Sequence, residues 1–386
     1  MQKYHAKTLR GLEELLADEL RELGARDVRV RNRGVDFSGG AALMYRVNLA
    51  SRLALRVLVP ILKFEARDEA GLYRKIKQFD WSMYLDNRMS FVIDAVVFSQ
   101  SFRNSHFVAQ KAKDAIVDRF RERTGLRPSV HREKPDLRIN LHISQHLVTI
   151  SLDSSGSSLH KRGYRTGSFE APLNEVLAAG MIMASGWKAE RPFIDAMCGS
   201  GTLAIEAAMI AAGVAPGLSR KGFGFETWKD FDPELLEHVA QQLPSEKAVE
   251  VPIVARDVNP AAVRLTRRQL KNLELDHLVK TEVMDFADSP ETPGGQTIFL
   301  NPPYGERLQP ENLNGLYRMI GSTLKHRFPG SDAWILSSSK QALKHIGLRP
   351  SSKRVLYNGA LECSFVRIRT FKGTLKEHKS EGSHKS

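Results

Sequence analysis

The residues with the most chemical character in this chain stand where apolar runs stop. Ile298-Phe299-Leu300 ends at Asn301, and Pro302, Pro303 and Tyr304 follow. The asparagine oxygen is a hydrogen-bond acceptor. Two prolines remove two N–H donors and stiffen the turn, so the carbonyl of Pro302 is expected to point outward as a second acceptor. Tyr304 adds a flat face. Two acceptors aimed at one point beside a stacking platform suit a planar amino group on a base. They hold both amine protons and leave the nitrogen lone pair free to attack. Taken alone, the same four residues also make a rigid turn that caps a strand.

A second cluster lies upstream. Phe193-Ile194-Asp195 runs through Met197, Cys198, Gly199, Ser200 and Gly201 to Thr202, a strand, a glycine turn and a helix start. Gly199, Gly201 and Ala204 satisfy GxGxxA, which by itself is a weak dinucleotide signal and equally an ordinary tight turn. Two features argue against a dinucleotide. Asp195 would repel a pyrophosphate seeking the helix N-terminus. The acid ending the next strand, Asp257, lies 56 residues past Gly201, against about 20 in the nicotinamide pattern. Asp257 can still bind both hydroxyls of a ribose, or it can cap the helix that follows, a role for which Asn259 is better placed. Asp285 follows a third strand. Three acids at three successive strand ends share one crevice in an open α/β sheet. The ligand that fits has an amine, a ribose and an adenine amino group. S-adenosylmethionine has all three, carries no phosphate, and places an ammonium and a sulfonium where a carboxylate helps.

Such strand ends need a sheet behind them. From about residue 165 the pattern alternates strand and helix: "PFIDAM" with a helix from Thr202, "VPIVARDV" with a helix from Pro260, "VKTEVMD", "TIFLN" with a helix from about 311, and "AWILSS" with a short helix. "KRVLYN" and "LECSFVRIRTF" close the chain as an antiparallel pair. This predicts a doubly wound, mostly parallel sheet with an antiparallel edge. Before it, residues 1–153 form an α+β region. Its N-terminus, "MQKYHAKTLRGLEELLADELRELG", is charged and helix-periodic, with Leu9, Leu12, Leu15, Leu16, Leu20 and Leu23 at helical spacing. "SSGSS" at 154–158 is small and polar and is taken as a flexible linker. Residues 214–250 interrupt the alternation with a long Gly- and aromatic-rich connection.

Charge bounds the partners. Lys and Arg total 57 against 44 acids, a net +13, a sign that favours polyanions. Residues 101–138 hold ten basic residues against five acids. "HKRGYR" at 160–165 sets basic residues around a tyrosine, as in a surface that follows a nucleic-acid backbone. Arg103, Lys111, Lys113, Lys161, Arg162 and Arg165 are the candidate RNA contacts. The two cysteines, Cys198 and Cys363, with no nearby His/Cys cluster, give no expectation of a metal. No run approaches a membrane span and no signal sequence opens the chain, so a cytoplasmic protein is expected, monomer or homodimer.

Taken together, Asp195, Gly199, Gly201, Asp257, Asp285 and "NPPY" resemble the class I methyltransferases that modify exocyclic amino groups. The longer strings "FIDAMCGSGTLAIEAAMIA", "NPPYGERL", "HKRGYR" and "EAPLNEVLAAGM" resemble more narrowly the bacterial THUMP-domain methyltransferases of guanine N2 in large-subunit ribosomal RNA. In some bacteria this unit is the N-terminal half of a larger fused enzyme. The resemblance implies a Rossmann-like class I domain with a seven-stranded, mostly parallel sheet at 165–372. It implies an N-terminal ferredoxin-like region at 1–65 and a THUMP RNA-binding domain at 66–153, leaving a linker at 154–164; the tail at 373–386, with little apolar content, is expected to be disordered. It implies that Asp195 to Thr202, with Met197, Cys198, Gly199, Ser200 and Gly201, hold the methionine end of the cofactor. Asp257 would take the ribose and Asp285 the adenine amine. "EAPLNE", with Pro172 and Asn174, would line the pocket, and Asn301, Pro302, Pro303 and Tyr304 would hold the guanine. Glu306 and Arg307 match the family without a physical role.

The function expected is methyl transfer from S-adenosylmethionine to guanine N2 of 23S rRNA. The alternatives are a tRNA guanine-N2 or nucleic-acid adenine-N6 methyltransferase, or an inactive RNA-binding ribosome assembly factor. A chain truncated before residue 154 is expected to keep cofactor affinity and lose RNA affinity.

Overall fold

A computed structural model of the chain describes residues 1–167, 172–303 and 310–372. They divide into two compact units, each discontinuous in sequence.

The first unit comprises Met1–Thr8, Leu16–Leu159 and Arg220–Leu243. Its strands are β1 (Gln2–Lys7), β2 (Arg26–Arg31), β3 (Gly34–Gly39), β4 (Arg56–Glu65), β5 (Ser90–Phe98), β6 (Ser129–Val130), β7 (Leu137–Ser144) and β8 (Leu147–Asp153). They form one sheet in the order β2-β3-β1-β4-β8-β7-β5-β6. Its helices include α1 (Glu13–Glu22), whose first turn belongs to the other unit, α2 (Ala41–Ala50), α3 (Glu69–Gln78) and α4 (Ser105–Thr124). Asp68 and Asn104 cap α3 and α4 by accepting from the Gly71 and Phe107 N–H groups, as short polar residues do at helix starts. The regions expected as 1–65 and 66–153 share this sheet, because β4 pairs with β8 from Leu58↔Asp153 to Glu65↔Leu147.

Two sequence expectations change here. Residues 2–7 are a strand, not the lead-in to a helix. β1 lies between β3 and β4 and turns only Tyr4 and Ala6 inward, too few apolar residues to reveal a strand by alternation. The serine-rich stretch is packed at its start, where a free linker is expected. Ser154 and Ser155 are fully buried. Ser155 Oγ donates to Asn48 Oδ1 at 2.7 Å, and Asn48 Nδ2 donates to Ser154 Oγ at 2.9 Å. These small residues permit close approach: a Cβ on Gly224 would stand 2.5 Å from the Asp153 carbonyl oxygen.

The second unit comprises Leu9–Leu15, His160–Ser219 and the chain from Pro244. It contains α5 (Glu175–Ser185), β9 (Phe193–Asp195), α6 (Thr202–Ala212), β10 (Ile253–Asp257), α8 (Pro260–Asn272), β11 (Val279–Val283), β12 (Thr297–Leu300), α9 (Pro310–Arg327), β13 (Asp332–Ser337), α10 (Lys340–Lys344), β14 (Ser352–Asn358) and β15 (Leu361–Arg369); α7 (Pro233–Gln241) falls in the first unit. The sheet order is β11-β10-β9-β12-β13-β15-β14. The first five run parallel, and β15 runs against both β13 and β14. Phe193, Phe299, Phe365 and Trp334 stack in succession on one face. Ile194, Ile298, Leu300 and Ile335 join α9 residues in the core on the other. Leu12 fills the space under Gly180 of α5, and Arg10 lies over the Tyr357 ring at 5.0 Å.

Residues 220–243 interrupt the second unit in sequence but complete the first. Arg220 donates to the carbonyls of Ser157 and Ser158 at 2.9 and 3.0 Å. The Phe225 N–H bonds Ser154 O at 3.0 Å, its ring meets Tyr45 at 4.5 Å, and Lys229 Nζ donates to Ser82 O at 2.9 Å. A fragment starting at residue 160 therefore loses the surroundings of Phe225 and Val239, both buried here. It is expected to elute as aggregate in size-exclusion chromatography. The same fragment with 220–243 replaced by a short Gly/Ser bridge should elute with a smaller aggregate fraction, and equal aggregation of the two fragments would contradict this assignment.

Candidate active site

The loop from β9 to α6 is built by its neighbours. Asp195 stands in register between Ala255 of β10 and Phe299 of β12. Past the strand, the Ala196 N–H bonds Phe299 O at 3.0 Å and the Cys198 N–H bonds Arg256 O at 2.8 Å. Gly199 and Gly201 have φ of 54° and 78°, a region that side chains disfavour. Gly201 also lacks room: a Cβ there would lie 2.4 Å from Thr266 Cγ2. Thr266 Oγ1 donates to Gly199 O at 3.2 Å and Gln269 Nε2 to Ser200 O at 2.6 Å. Both side chains are fully buried. Neither stands out in the sequence. Their signal was a polar pair three residues apart on the buried face of α8, otherwise made by Ala262, Val263 and Leu270.

The three acids have different environments. Asp195 is fully buried. Its Oδ2 accepts from the Ala204 N–H at 3.2 Å, and its Oδ1 makes no well-formed hydrogen bond. Burial pushes its pKa up to about 8, and the Ala204 and Met197 N–H groups offset only part of that. Such a group is ready to ionise against an incoming cation. Asp257 is half-buried; its Oδ2 accepts from the Gly199 N–H at 2.8 Å and its Oδ1 from the Asn259 N–H at 2.9 Å. Asn259, not Asp257, caps α8 through the Ala261 N–H at 2.9 Å. Each Asp257 oxygen retains a lone pair for a hydroxyl. Asp285 is exposed two residues beyond β11 and accepts from the Ala287 N–H at 2.9 Å. Burial, then Asp195 and Asp257, hold the Cys198 thiol well above its usual pKa, so it is no nucleophile.

Asn301 follows β12 two residues beyond Phe299, the register partner of Asp195. Its Oδ1 is buried without a partner among the described residues, an uncommon state for a polar atom. Pro302 is buried and Pro303 half-buried. Tyr304, Glu306, Arg307, Glu170 and Ala171 lie outside the described residues.

The basic candidates separate. Arg162 faces inward, its side chain 1% exposed, with Nε 3.1 Å from Glu206 Oε1 of α6; burial removes it from an RNA surface. Arg165 donates to Glu175, Ser200, Thr202 and the Leu173 carbonyl. A cavity of about 580 Å³ beside it is lined by Lys161, Thr166, Pro172 and Asn174 among others; Asn174 Oδ1 also caps α5. In the first unit Arg103 is exposed, Lys111 Nζ lies 5.8 Å from the Tyr73 ring centroid, and Lys113 pairs with Asp114 at 2.8 Å.

The methyltransferase strand order, with strand-end acids at a glycine loop, is matched by comparison with known proteins. An RMKL-like methyltransferase domain matches residues 162–367, a THUMP domain residues 66–153, and an RlmL ferredoxin-like domain residues 3–58. The chain belongs to the THUMP-bearing RMKL-like methyltransferases. A Synechocystis protein named "Putative RNA methyltransferase slr0064" is 38% identical over 95% of this chain and 97% of its own length. "Ribosomal RNA large subunit methyltransferase K/L" of Syntrophotalea carbinolica is 40% identical over 94% of this chain and 53% of its own. The chain thus spans about half the length of the K/L relatives it matches. The solved structure of "SMU.472, a putative methyltransferase complexed with SAH" is 29% identical over 97% of this chain and 99% of that one, with a TM-score of 0.85.

In this THUMP-bearing methyltransferase the two loop glycines make a test of the geometry. A Cβ on Gly199 meets nothing within 4 Å, whereas one on Gly201 meets Thr266. Gly199→Ala should cost about 1 kcal/mol of backbone strain, and Gly201→Ala about 2–3 kcal/mol. Urea denaturation of both variants checks this, and equal losses would refute the close contact with α8.

Proposed function

We propose that this chain transfers a methyl group from S-adenosylmethionine to the exocyclic N2 amine of a guanine in 23S ribosomal RNA. The observation that carries the reading is the buried Asn301 Oδ1 at the end of β12, without a hydrogen-bond partner among the described residues, one strand over from Asp195 Oδ1, which makes no well-formed hydrogen bond there. A buried acceptor left empty is costly unless a ligand donor fills it. An amine proton fills Asn301, and the cofactor's cationic end suits Asp195.

When bound, S-adenosylmethionine supplies an electrophilic methyl on a sulfonium. The residues of this chain position the partners. The loop 195–202 takes the methionine end, Asp257 the ribose hydroxyls and Asp285 the adenine amine. Asn301 Oδ1 holds one proton of the guanine amine and the Pro302 carbonyl is assigned the other, so the nitrogen lone pair faces the methyl. The N–C bond forms as the C–S bond breaks, with its electron pair going to sulfur. The surplus amine proton then leaves to water. No strong base is required before attack, and orientation supplies the acceleration. The names of the K/L relatives and the matched THUMP domain support large-subunit rRNA as substrate. Arg103, Lys111 and Lys161 are assigned to its phosphates.

Asn301→Ala should lower methyl transfer to 23S rRNA by about 10²–10³-fold while S-adenosylhomocysteine affinity, read by calorimetry, stays within about twofold. Mass spectrometry of the digested rRNA reads the product, and absence of N2-methylguanosine with the wild-type protein would overturn the reading.

Asp195 adds a pH dependence. Its folded-state pKa, about 8, lies above the ordinary 3.8. The free protein therefore binds an extra proton between these values and loses stability as pH rises through that window. Cofactor cations favour the carboxylate, so S-adenosylmethionine should bind more tightly from pH 6 upward and level off above about 8. Calorimetry in buffers of different ionisation enthalpy should show proton release that Asp195→Asn abolishes. Equal release by both proteins would remove Asp195 from the cofactor site.

A further inference from the structure

"HKRGYR" has the composition of a nucleic-acid contact, yet its two arginines point into the second unit. Arg162 reaches Glu206 on α6. Arg165 makes several contacts. Its Nε and Nη2 stand 2.9 and 2.8 Å from Glu175 Oε1 at the start of α5. Its Nη1 donates to Ser200 Oγ at 3.2 Å, and its Nη2 donates to Thr202 Oγ1 at 3.3 Å and to Leu173 O at 3.4 Å. Ser200 and Thr202 flank Gly201, the residue seated on Thr266. The glycine turn is thus held from two sides, by α8 through Thr266 and Gln269 and by Arg165 through two hydroxyls. Gly201, the N-cap of α6, has no side chain with which to cap it; in the first turn of α6 the Ala204 N–H bonds Asp195 Oδ2, a contact that does not reach the Ser200 and Thr202 hydroxyls.

We infer that Arg165 is a positioning residue for the cofactor loop: its planar fork fixes Ser200 and Thr202 against α5 and so shapes the seat of the cofactor's amino-acid end. The inference rests on the assignment of loop 195–202 to that end. A fork is needed because the bonds leave one plane toward three separate elements, and lysine offers a point charge instead. Glu175 is buried at 4% exposure, and its pairing aims the guanidinium and lets it stay in a half-buried place.

The test compares two ligands and RNA on the full chain. S-adenosylhomocysteine carries the amino-acid end, and 5′-methylthioadenosine has the same nucleoside and thioether without it. Arg165→Gln should weaken S-adenosylhomocysteine by about tenfold or more and leave methylthioadenosine and RNA affinity within about twofold. Arg165→Lys should recover little. The Ser200→Ala/Thr202→Val double variant should reproduce the selective loss, and adding Arg165→Gln to it should cost little more, since contacts in one network do not add. This pair keeps the question open to an answer if Arg165→Gln alone fails to fold. Equal loss of both ligands, or lost RNA affinity with cofactor affinity intact, would overturn the inference. Failure of the wild-type protein to bind S-adenosylhomocysteine would instead sink the proposed function itself.

Discussion

The hydrogen bond from the Gly199 N–H to Asp257 Oδ2, 2.8 Å long, joins the ends of two adjacent parallel strands. A carboxylate acceptor makes it stronger than a neutral pair. It draws the glycine turn over the end of β10 and fixes the carboxylate expected to meet a ribose. With the loop so placed, Gly201 comes down on Thr266, α6 starts where it does, and Asp195 is sealed beneath. The free protein bears the cost of that seal, because Asp195 Oδ1 and Asn301 Oδ1 are both buried without a well-formed hydrogen bond among the described residues. Structures tolerate such atoms where a ligand completes them.

Much of the second unit was legible from alternation alone. Its strands are short apolar runs and its helices start at Thr202 and Pro260, so topology and strand-end acids followed from general rules. What stayed hidden is whatever depends on a partner far along the chain. β1 gains its place from β3 and β4, not from its own two inward residues. Ser154 and Ser155 look like a linker until Asn48 and Phe225 arrive. Thr266 and Gln269 look like ordinary helix residues until the loop is laid on them.

The same limit applies to charge. An arginine has one composition whether it faces solvent or an acid. Arg162 is internal because Glu206 lies 44 residues on, one turn into α6. Arg103 is exposed in the loop before α4. Net charge therefore bounds the class of partner but leaves open which cations meet it.

The interleaving of the two units also has a temporal side. Ribosomes deliver the chain from its N-terminus. The first unit needs residues up to Leu243, beyond the start of the second unit's own sheet, and the second unit holds Leu9–Leu15 from near the beginning. β9 and α6 thus emerge while the eight-stranded sheet still lacks the segment that covers Tyr45. Neither unit is complete when the first 159 residues have left the tunnel. Both depend on contacts of long sequence separation, the kind that slows folding, and the first can close fully only after part of the second unit's sequence has emerged.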